Sequence, residues 1–397
     1  MSHTYILRGY SMVRTIFLLL FSTFSFAQSP VYIGLDADMS AVAKEGGVAI
    51  QRGALIAIEE INNAGGVLNR PLELITKDHR GNPARGIANI KALSKQPDLV
   101  AVLGGVHTPV ALKELPILHE NKVIYLDPWA AGTPVVDNGY TPNYVFRISV
   151  RDEQAGKVLI NHAKKLGAKK VGLLLESTGW GRSNEKSMTN AAIENGVGIA
   201  AIEWFNWGQK DMSKEISNLT NQGAEAIMLV ANAPEGVVAA NSLLKLKEAK
   251  DLPIISHWGI AGGAFVEKIG LENLSKLNLS VLQTYSFTKP TNSSLNSQII
   301  KTYQKMFDSS VTAESIPGAV GTAHAYDLIH ILAKAIKKAN STNTSEIRSE
   351  LEKLPFHKGL VKTYSPAFTK EKHDALWAED YIISTFDSQG NLVPLQN

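Results

Sequence analysis

Threonine and proline follow a predicted buried strand at the point where the chain turns. The apolar run 99–103 is short enough for a strand, and Gly104-Gly105 allows a tight turn after it. Thr108 is then the predicted N-cap of a helix, and Pro109 is its first residue. A hydroxyl group beside the unpaired N–H groups of a helix start favours an anion, because the donors and the helix dipole both attract negative charge. The pattern predicts a binding site for a small acidic ligand rather than a catalytic site.

A second turn of the same kind follows the predicted strand 123–126. It reads Asp-Pro-Trp-Ala-Ala-Gly, and the small residues Ala130 and Ala131 would let a ligand approach the backbone. Trp129 offers a flat apolar wall beside them. The alternative is that Thr108 is only a helix cap and Trp129 only a core residue.

Two histidines lie close to these predicted contacts. His107, beside Thr108, can donate to a ligand oxygen or titrate near neutral pH, or it can simply bond to a loop carbonyl. His257, which precedes Trp258, has the same two interpretations. Neither belongs to an HxxxH motif or a carboxylate cluster, so no metal or cofactor site is predicted. The chain also lacks a GxSxG motif, a P-loop and a GxGxxG at its first strand end, which argues against an enzyme.

Helical and strand patterns alternate along the chain and so predict the elements that position these residues. A parallel sheet with helices on both faces is expected, with ligands beyond the carboxyl ends of its strands. In the first series, strands are predicted at 31–37, 72–77, 99–103 and 123–126, with helices at 47–64, 83–95 and 109–121. In a second series of the same kind, helices are predicted at 152–166, 183–195, 212–222 and 234–249, with strands at 170–175, 198–205, 226–230 and 253–256.

The remaining segment has too few strands for a third domain, and it is expected to complete the first two. No low-complexity linker separates the halves, so the chain is expected to cross between two doubly wound, Rossmann-like α/β lobes more than once. The predicted boundaries are 31–146 with 287–370 for the first lobe and 147–286 with 371–397 for the second.

The first 27 residues have the layout of a secretory signal peptide. They contain Arg8 and Arg14, no acid, the apolar run 16–21, and small residues at the usual cleavage positions, so cleavage after Ala27 is predicted. An uncleaved anchor is the alternative, but the run is shorter than the roughly 20 residues that span a bilayer. The segment from Met12 alone has a complete layout, which leaves Met1 and Met12 both open as the start.

Composition narrows the function further. The chain has no cysteine, which excludes disulfides, cysteine nucleophiles and thiolate metal sites. An exported protein without disulfides is typical of a bacterial periplasm. The net charge of +3 falls to +1 without Arg8 and Arg14, so nothing favours nucleic acid or an anionic membrane as partner.

Several motifs together resemble the type I periplasmic solute-binding proteins of bacterial ABC transporters, in the branched-chain amino acid branch. The most specific is EEINNAGGVLNRP at 59–71, and the others are VYIGLDADMS, AVLGGVHTP, IYLDPWAAGTP, LLLESTGWGRS and LVANAPEG. The resemblance covers nearly all of residues 31–397. It implies the type I periplasmic binding protein fold and a monomer whose two lobes close on a small-molecule ligand. In the family the first lobe holds an amino acid's carboxylate, and an acid of the second lobe holds its ammonium group.

The resemblance assigns roles to individual residues of this chain. Thr108 stands where the family places a hydroxyl at the ligand carboxylate, and Trp129 and Ala131 fall in a turn that supplies further contacts. Trp180 matches an aromatic position over the ligand. Gly46 belongs to a loop before the first helix that forms one wall of the pocket, where a glycine leaves room for a bulkier ligand.

Two residues depart from the family pattern. Asn232 stands where branched-chain binders commonly carry an aromatic residue, and Trp258 stands where they carry the acid that pairs with the ammonium. An indole N–H donates and cannot accept from an ammonium group, and a buried ammonium without a charged partner is costly. We therefore expect a small carboxylate or other polar anion with an apolar or aromatic part, held by Trp129, Trp180 and Trp258. The alternative is that these tryptophans are ordinary core residues.

The leading functional prediction is a periplasmic receptor that delivers its solute to the membrane permease of an ABC transporter. The alternative is a sensory subunit that presents the ligand to a membrane histidine kinase or chemoreceptor. Neighbouring permease and ATPase genes would favour the first function, and a kinase gene the second.

Overall fold

The structure is a computed structural model that describes Met1 and residues 29–395. The predicted signal peptide and its cleavage after Ala27 therefore lie outside the described residues, apart from Met1. Among the described residues, no helix is both long and apolar enough to cross a bilayer.

The first lobe is built on a parallel sheet of five strands in the order β2-β1-β3-β4-β5. Its inner strands bury side chains on both faces, as the apolar sequence LVAVL at 99–103 requires. The strands are β1 (Val31–Ala37), β2 (Leu72–Asp78), β3 (Leu99–Leu103), β4 (Ile124–Asp127) and β5 (Val145–Arg147). The helices between them are α1 (Lys44–Asn63), α2 (Pro83–Leu93), α3 (Thr108–Glu120) and α4 (Thr133–Val136).

The second lobe is built on a sheet of seven strands in the order β14-β13-β10-β9-β8-β6-β7, of which β13 and β14 are antiparallel at one edge. Its strands are β6 (Lys170–Glu176), β7 (Gly198–Phe205), β8 (Ala226–Val230), β9 (Ile254–Ser256), β10 (Leu279–Gln283), β13 (Ile382–Phe386) and β14 (Leu392–Pro394). Its helices are α5 (Asp152–Lys165), α6 (Gly179–Asn195), α7 (Ser213–Asn221), α8 (Ala233–Lys245), α9 (Phe265–Ile269) and α10 (Leu271–Leu274), with a 3₁₀ segment at Trp258–Gly262.

After β10 the chain returns to the first lobe before it ends in the second. It forms α11 (Ser293–Met306), α12 (Ala319–Ala339), α13 (Thr344–Leu351), the small hairpin of β11 (His357–Lys358) and β12 (Thr363–Tyr364), and a 3₁₀ turn at Ala378–Asp380. The helix α12 packs along α1, where a side chain at Gly53 would lie 2.1 Å from the Thr322 carbonyl. The chain thus crosses between the lobes three times, which confirms two doubly wound lobes joined by several segments. The exact lobe boundaries stay predictions.

Three helices begin earlier than predicted, and each shift changes the interpretation of a site residue. The helix α1 starts at Lys44, so Gly46 lies within it rather than in a loop before it. The N-cap of α3 is His107, not Thr108, because the His107 carbonyl accepts the first helical bond, from Ala111. The helix α6 starts at Gly179 because the Thr178 hydroxyl accepts from the Trp180 N–H.

A buried ion cluster ties the first crossing to the third. Arg147, at the end of β5, is fully buried and forms an ion pair with Asp374. It also donates to the carbonyls of Ala130 at 3.1 Å and Gly132 at 2.8 Å. Burial opposes its charge, but the neighbouring carboxylates of Asp374 and Asp127 keep the pKa of Arg147 above its usual value. One guanidinium therefore holds both a crossing and the turn that follows β4.

Replacing this guanidinium should destabilise the protein strongly. We expect Arg147→Met to lower the free energy of unfolding by about 3–5 kcal/mol, because Asp127 would stay buried without its cationic neighbour and Asp374 would keep only its ion pair with Arg151. Denaturant unfolding followed by tryptophan fluorescence measures the loss. Arg85→Met on the exposed face of α2 is the matched control and should change little. Equal unfolding midpoints for the two variants would contradict this role of Arg147.

Candidate functional site

Seven of the nine predicted contact residues line one narrow cavity where the two sheets present the carboxyl ends of their strands. The cavity is about 10 Å³, room for about one water molecule. The seven residues are His107, Thr108, Trp129, Ala131, Trp180, Asn232 and Trp258. The two lobes therefore bring together side chains that are separated by up to 151 positions in the chain.

The other two predicted residues lie just outside the cavity. Ala130 is fully buried, and its carbonyl accepts from Arg147. A side chain at Gly46 would lie 2.9 Å from Val106 and 3.4 Å from the indole of Trp129. The space that Gly46 leaves is thus filled by Trp129 and not left open for a bulkier ligand.

On the first lobe, His107 and Thr108 are held by partners that the sequence did not predict. The His107 Nε2 lies 3.1 Å from the Asp38 carboxylate rather than bonding to a loop carbonyl. Burial acts to raise the pKa of Asp38, but hydrogen bonds from His107 and from the N–H groups of Ala41 and Ala43 outweigh it and lower the pKa to about 2. The Thr108 hydroxyl accepts from the N–H of Gly132 at 3.1 Å, which joins the two turns of the predicted site.

Trp129 and Trp258 form a pair across the lobes. Their ring centroids lie 5.3 Å apart at an angle of 39°, an arrangement that suits two aromatic rings. Both are almost fully buried, and side chains at Gly262 and Gly321 would lie 3.2 Å and 2.8 Å from the Trp129 ring. These tryptophans are therefore core residues and cavity walls at the same time.

Trp180 is oriented by a carboxylate behind the cavity. Its Nε1 donates to Asp152, at the start of α5, over 3.2 Å. The Nε2 of His257 lies 3.1 Å from the same oxygen, and its Nδ1 accepts from the Trp258 N–H. His257 therefore carries its proton on Nε2 and supports the aromatic residues, and it does not line the cavity.

Glu176 lines the cavity and was missed in the sequence. It is the last residue of β6 and is fully buried. Its carboxyl group accepts from the Thr178 hydroxyl, from Trp207 Nε1 at 2.9 Å and from Asn232 Nδ2 at 3.0 Å. The signal was available in the motif LLLESTGWGRS, where an acid follows an apolar run as Asp127 does, but the predicted strand ended at Leu175.

Trp207 brings a fourth indole to the site. It follows β7 in the second lobe and is two-fifths exposed. Its ring centroid lies 5.6 Å from that of His107 in the first lobe, while its N–H donates to Glu176. The residue thus bridges the lobes at the edge of the cavity.

The electrostatics of the site combine helix starts with one titratable acid. The helices α3, α6 and α8 begin next to cavity residues, with His107, Thr178 and Asn232 as their N-caps. Helix starts carry partial positive charge and favour an anion. Burial raises the pKa of Glu176 to about 7, although hydrogen bonds from Thr178 and Trp207 act to lower it. No group of three or more histidine, aspartate or glutamate side chains in the described part of the chain is arranged to hold a metal ion.

The family of this chain is assigned from a match that spans almost all of the described residues. The family model described as periplasmic binding protein matches residues 30–390. The chain belongs to the periplasmic binding protein family. Members of this family bind substrates and are not enzymes, and this periplasmic binding protein is of the branched-chain amino acid type.

Individual members show how far the likeness extends. The Leu/Ile/Val-binding protein homolog 3 of Brucella melitensis is 24% identical over 328 residues, covering 81% of this chain and 82% of its own. The branched-chain amino acid transporter substrate binding protein of Streptococcus pneumoniae, solved with isoleucine, has a TM-score of 0.77 at 22% identity and covers 91% and 97% of the two chains. A solute binding protein of R. palustris, solved with 4-hydroxybenzoate, has a TM-score of 0.75 at 17% identity and covers 93% and 96%. The two structures confirm the fold.

The raised pKa of Glu176 should make stability depend on pH. The folded protein keeps this proton up to about pH 7, whereas an unfolded chain releases it near the ordinary pKa of 4.5. The wild type should therefore lose stability as the pH rises between these values, and Glu176→Gln should not suffer this loss. We expect the difference in unfolding free energy between them to grow by on the order of 3 kcal/mol from pH 5 to pH 8.

Denaturant unfolding of ligand-free protein at several pH values measures this difference. Glu267→Gln, at an exposed position of α9, is the control and should follow the wild type. A difference between Glu176→Gln and the wild type that stays constant from pH 5 to pH 8 would contradict the assignment.

Proposed function

We propose that this protein captures a small carboxylate-bearing solute, amino-acid-like or an aromatic acid, between its lobes and delivers it to the membrane permease of an ABC transporter. The observation that carries the proposal is the convergence of predicted contact residues from both lobes on one cavity. Thr108, Trp129 and Ala131 come from the first lobe. Trp180, Asn232 and Trp258 come from the second.

The chemistry of the first-lobe wall supports a carboxylate. The start of α3 lies at the cavity, and Thr108 accepts from Gly132 while its own proton is free to be donated to a ligand oxygen. Two structural neighbours of the chain were solved with isoleucine and with 4-hydroxybenzoate, and both ligands carry a carboxylate. The shared group suits the positive end of a helix.

Contacts between the lobes support closure around the ligand. The Thr133 N–H donates to the Ser183 hydroxyl at 3.1 Å, and Trp207 lies against His107. Because the closed cavity is about 10 Å³, a solute can enter only when the lobes separate or the indoles move. A permease that recognises both lobes together would therefore distinguish the closed form from the open one.

A panel of ligands tests whether binding requires a carboxylate on the ligand. Protein unfolded and refolded to remove bound molecules is titrated with leucine, isoleucine and 4-hydroxybenzoate and with their amides, which lack the charge. We expect the acids and not the amides to bind, and Thr108→Val to weaken binding about 10-fold or more, because a hydrogen bond to a charged group contributes roughly 1.5–3 kcal/mol. Mass spectrometry of molecules released by denaturation identifies any natural ligand.

The matched control is Thr220→Val, which makes the same change on α7 away from the cavity. It should leave every affinity unchanged. Equal binding of acids and amides, or equal losses in the two threonine variants, would count against a carboxylate held at Thr108.

Export is part of the same proposal. We propose cleavage after Ala27 and action in the periplasm, so the mature chain is expected to begin at Gln28. Intact-mass and N-terminal peptide analysis of protein from the native cell measures this directly. Recovery of a mature chain that still carries Met1 or Met12 would contradict it.

A further inference from the structure

Four of the chain's six tryptophans meet at the cavity, together with one carboxyl group. Trp129, Trp180 and Trp258 line the cavity, and Trp207 is bonded to Glu176 at its edge. The four indoles come from four separate segments, so their meeting is not a consequence of one local motif. A concentration of indoles around a carboxyl group is suited to a cation, because the face of an indole attracts positive charge.

Two of these indoles have already used their only polar group. The N–H of Trp180 donates to Asp152, and the N–H of Trp207 donates to Glu176. An indole has no acceptor, so these rings can offer a ligand only their apolar surface and their π-electrons. A ligand group with many N–H donors would find no hydrogen-bond acceptor on these two rings.

The side chain of Glu176 can ionise, but none of the groups that donate hydrogen bonds to it in the described residues is a cation. Within residues 29–395, the donors bonded to its carboxyl group are the uncharged groups of Thr178, Trp207 and Asn232. His107 also acts on it from the first lobe, but His107 is bonded to Asp38. A cationic ligand group beside it would therefore stabilise the negative form of this buried side chain.

The three bonds to Glu176 also limit the kind of cation. A carboxylate accepts about four hydrogen bonds, and three are taken. A primary ammonium brings three N–H donors, whereas the second-lobe side chains that line the cavity leave two acceptor sites open, the fourth site on Glu176 and the Oδ1 of Asn232. One donor would then face the indoles without a side-chain acceptor. A fully methylated ammonium brings none, and it needs only negative potential and aromatic faces.

We propose that the ligand is a carboxylate whose other end is a methylated ammonium, a compound of the betaine type, and that Glu176 and the indoles of Trp180 and Trp258 select that end. The inference rests on the proposed carboxylate function of the same site. Thr108 and the start of α3 receive the carboxylate on the first lobe, and the second lobe receives the cation.

A series of ligands with the same carboxylate and an increasing number of methyl groups on the nitrogen tests the proposal. Calorimetry on unfolded and refolded protein compares glycine, N-methylglycine, N,N-dimethylglycine and glycine betaine. Affinity should rise with each methyl group, and betaine should bind at least 10-fold more tightly than glycine. The isostere 3,3-dimethylbutanoate, which keeps the carboxylate and the shape but has carbon in place of the positively charged nitrogen, should bind at least 10-fold more weakly than betaine.

Variants separate the charge of Glu176 from its packing. Glu176→Gln should bind betaine at least 10-fold more weakly and should no longer distinguish it from 3,3-dimethylbutanoate. Glu235→Gln is the matched control, since Glu235 is a buried acid of α8 that accepts from the Gly208 N–H and does not line the cavity. It should keep the wild-type preference. Trp258→Leu should lower betaine affinity more than that of glycine.

The possible results distinguish this inference from the proposed function. If leucine or 4-hydroxybenzoate binds and betaine does not, the inference is overturned and the carboxylate function stands. Tighter binding of glycine than of betaine, or equal binding of betaine and 3,3-dimethylbutanoate, also overturns it. If no carboxylate in either panel binds, both proposals fail.

Discussion

The buried guanidinium of Arg147 is the interaction on which the rest of the site depends. It pairs with Asp374 on the third crossing, and its hydrogen bonds to Ala130 and Gly132 fix the turn after β4. That turn places Trp129 in the cavity, and the N–H of Gly132 positions the Thr108 hydroxyl. The side chain of Arg147 thus links the third crossing between the lobes to the turn after β4 and, through that turn, to the start of α3. Because a buried charge is tolerated only with its partners in place, this arrangement resists distortion when the lobes move.

The walls of the cavity also belong to the hydrophobic core, and this shapes how the lobes close. Trp129 and Trp258 contact each other across the lobes, and backbone at Gly262 and Gly321 confines the Trp129 ring. The same indole contacts that would hold a ligand therefore stabilise the closed form without one. A ligand must replace these contacts to bind. Its binding free energy is therefore the difference between the closed form with the ligand and the closed form without it, and not the whole energy of its own contacts.

The periodicity of the sequence was enough to predict both lobes, because buried parallel strands and amphipathic helices leave local patterns. Together with turn chemistry it also indicated four of the seven cavity residues, at strand ends or a helix start: His107, Thr108, Trp129 and Ala131. The other three, Trp180, Asn232 and Trp258, were predicted from the family resemblance. Periodicity could not pair His107 with Asp38, which lies 69 positions away, or Arg147 with Asp374, which lies 227 positions away. Glu176 was missed because the acid that pairs with a ligand ammonium in the family was expected at the position of Trp258. The acid in this cavity lies instead at the end of another strand of the same lobe. The start of α3 shifted because the His107 carbonyl accepts the first helical bond, and the start of α6 shifted because the Thr178 hydroxyl accepts from the Trp180 N–H.

The two lobes offer a ligand opposite electrical environments. The first lobe presents a helix start with Thr108. In the second lobe the N-cap side chains of α6 and α8, Thr178 and Asn232, donate to Glu176 and stabilise its negative form. An anion without a positive group would add a second negative charge beside a buried carboxyl group, which the site could accept only by keeping Glu176 protonated. A ligand with both charges meets one lobe at each end. Such a ligand gains its full interaction energy only when both lobes contact it. Binding of its two charges therefore requires closure of the lobes and stabilises the closed form.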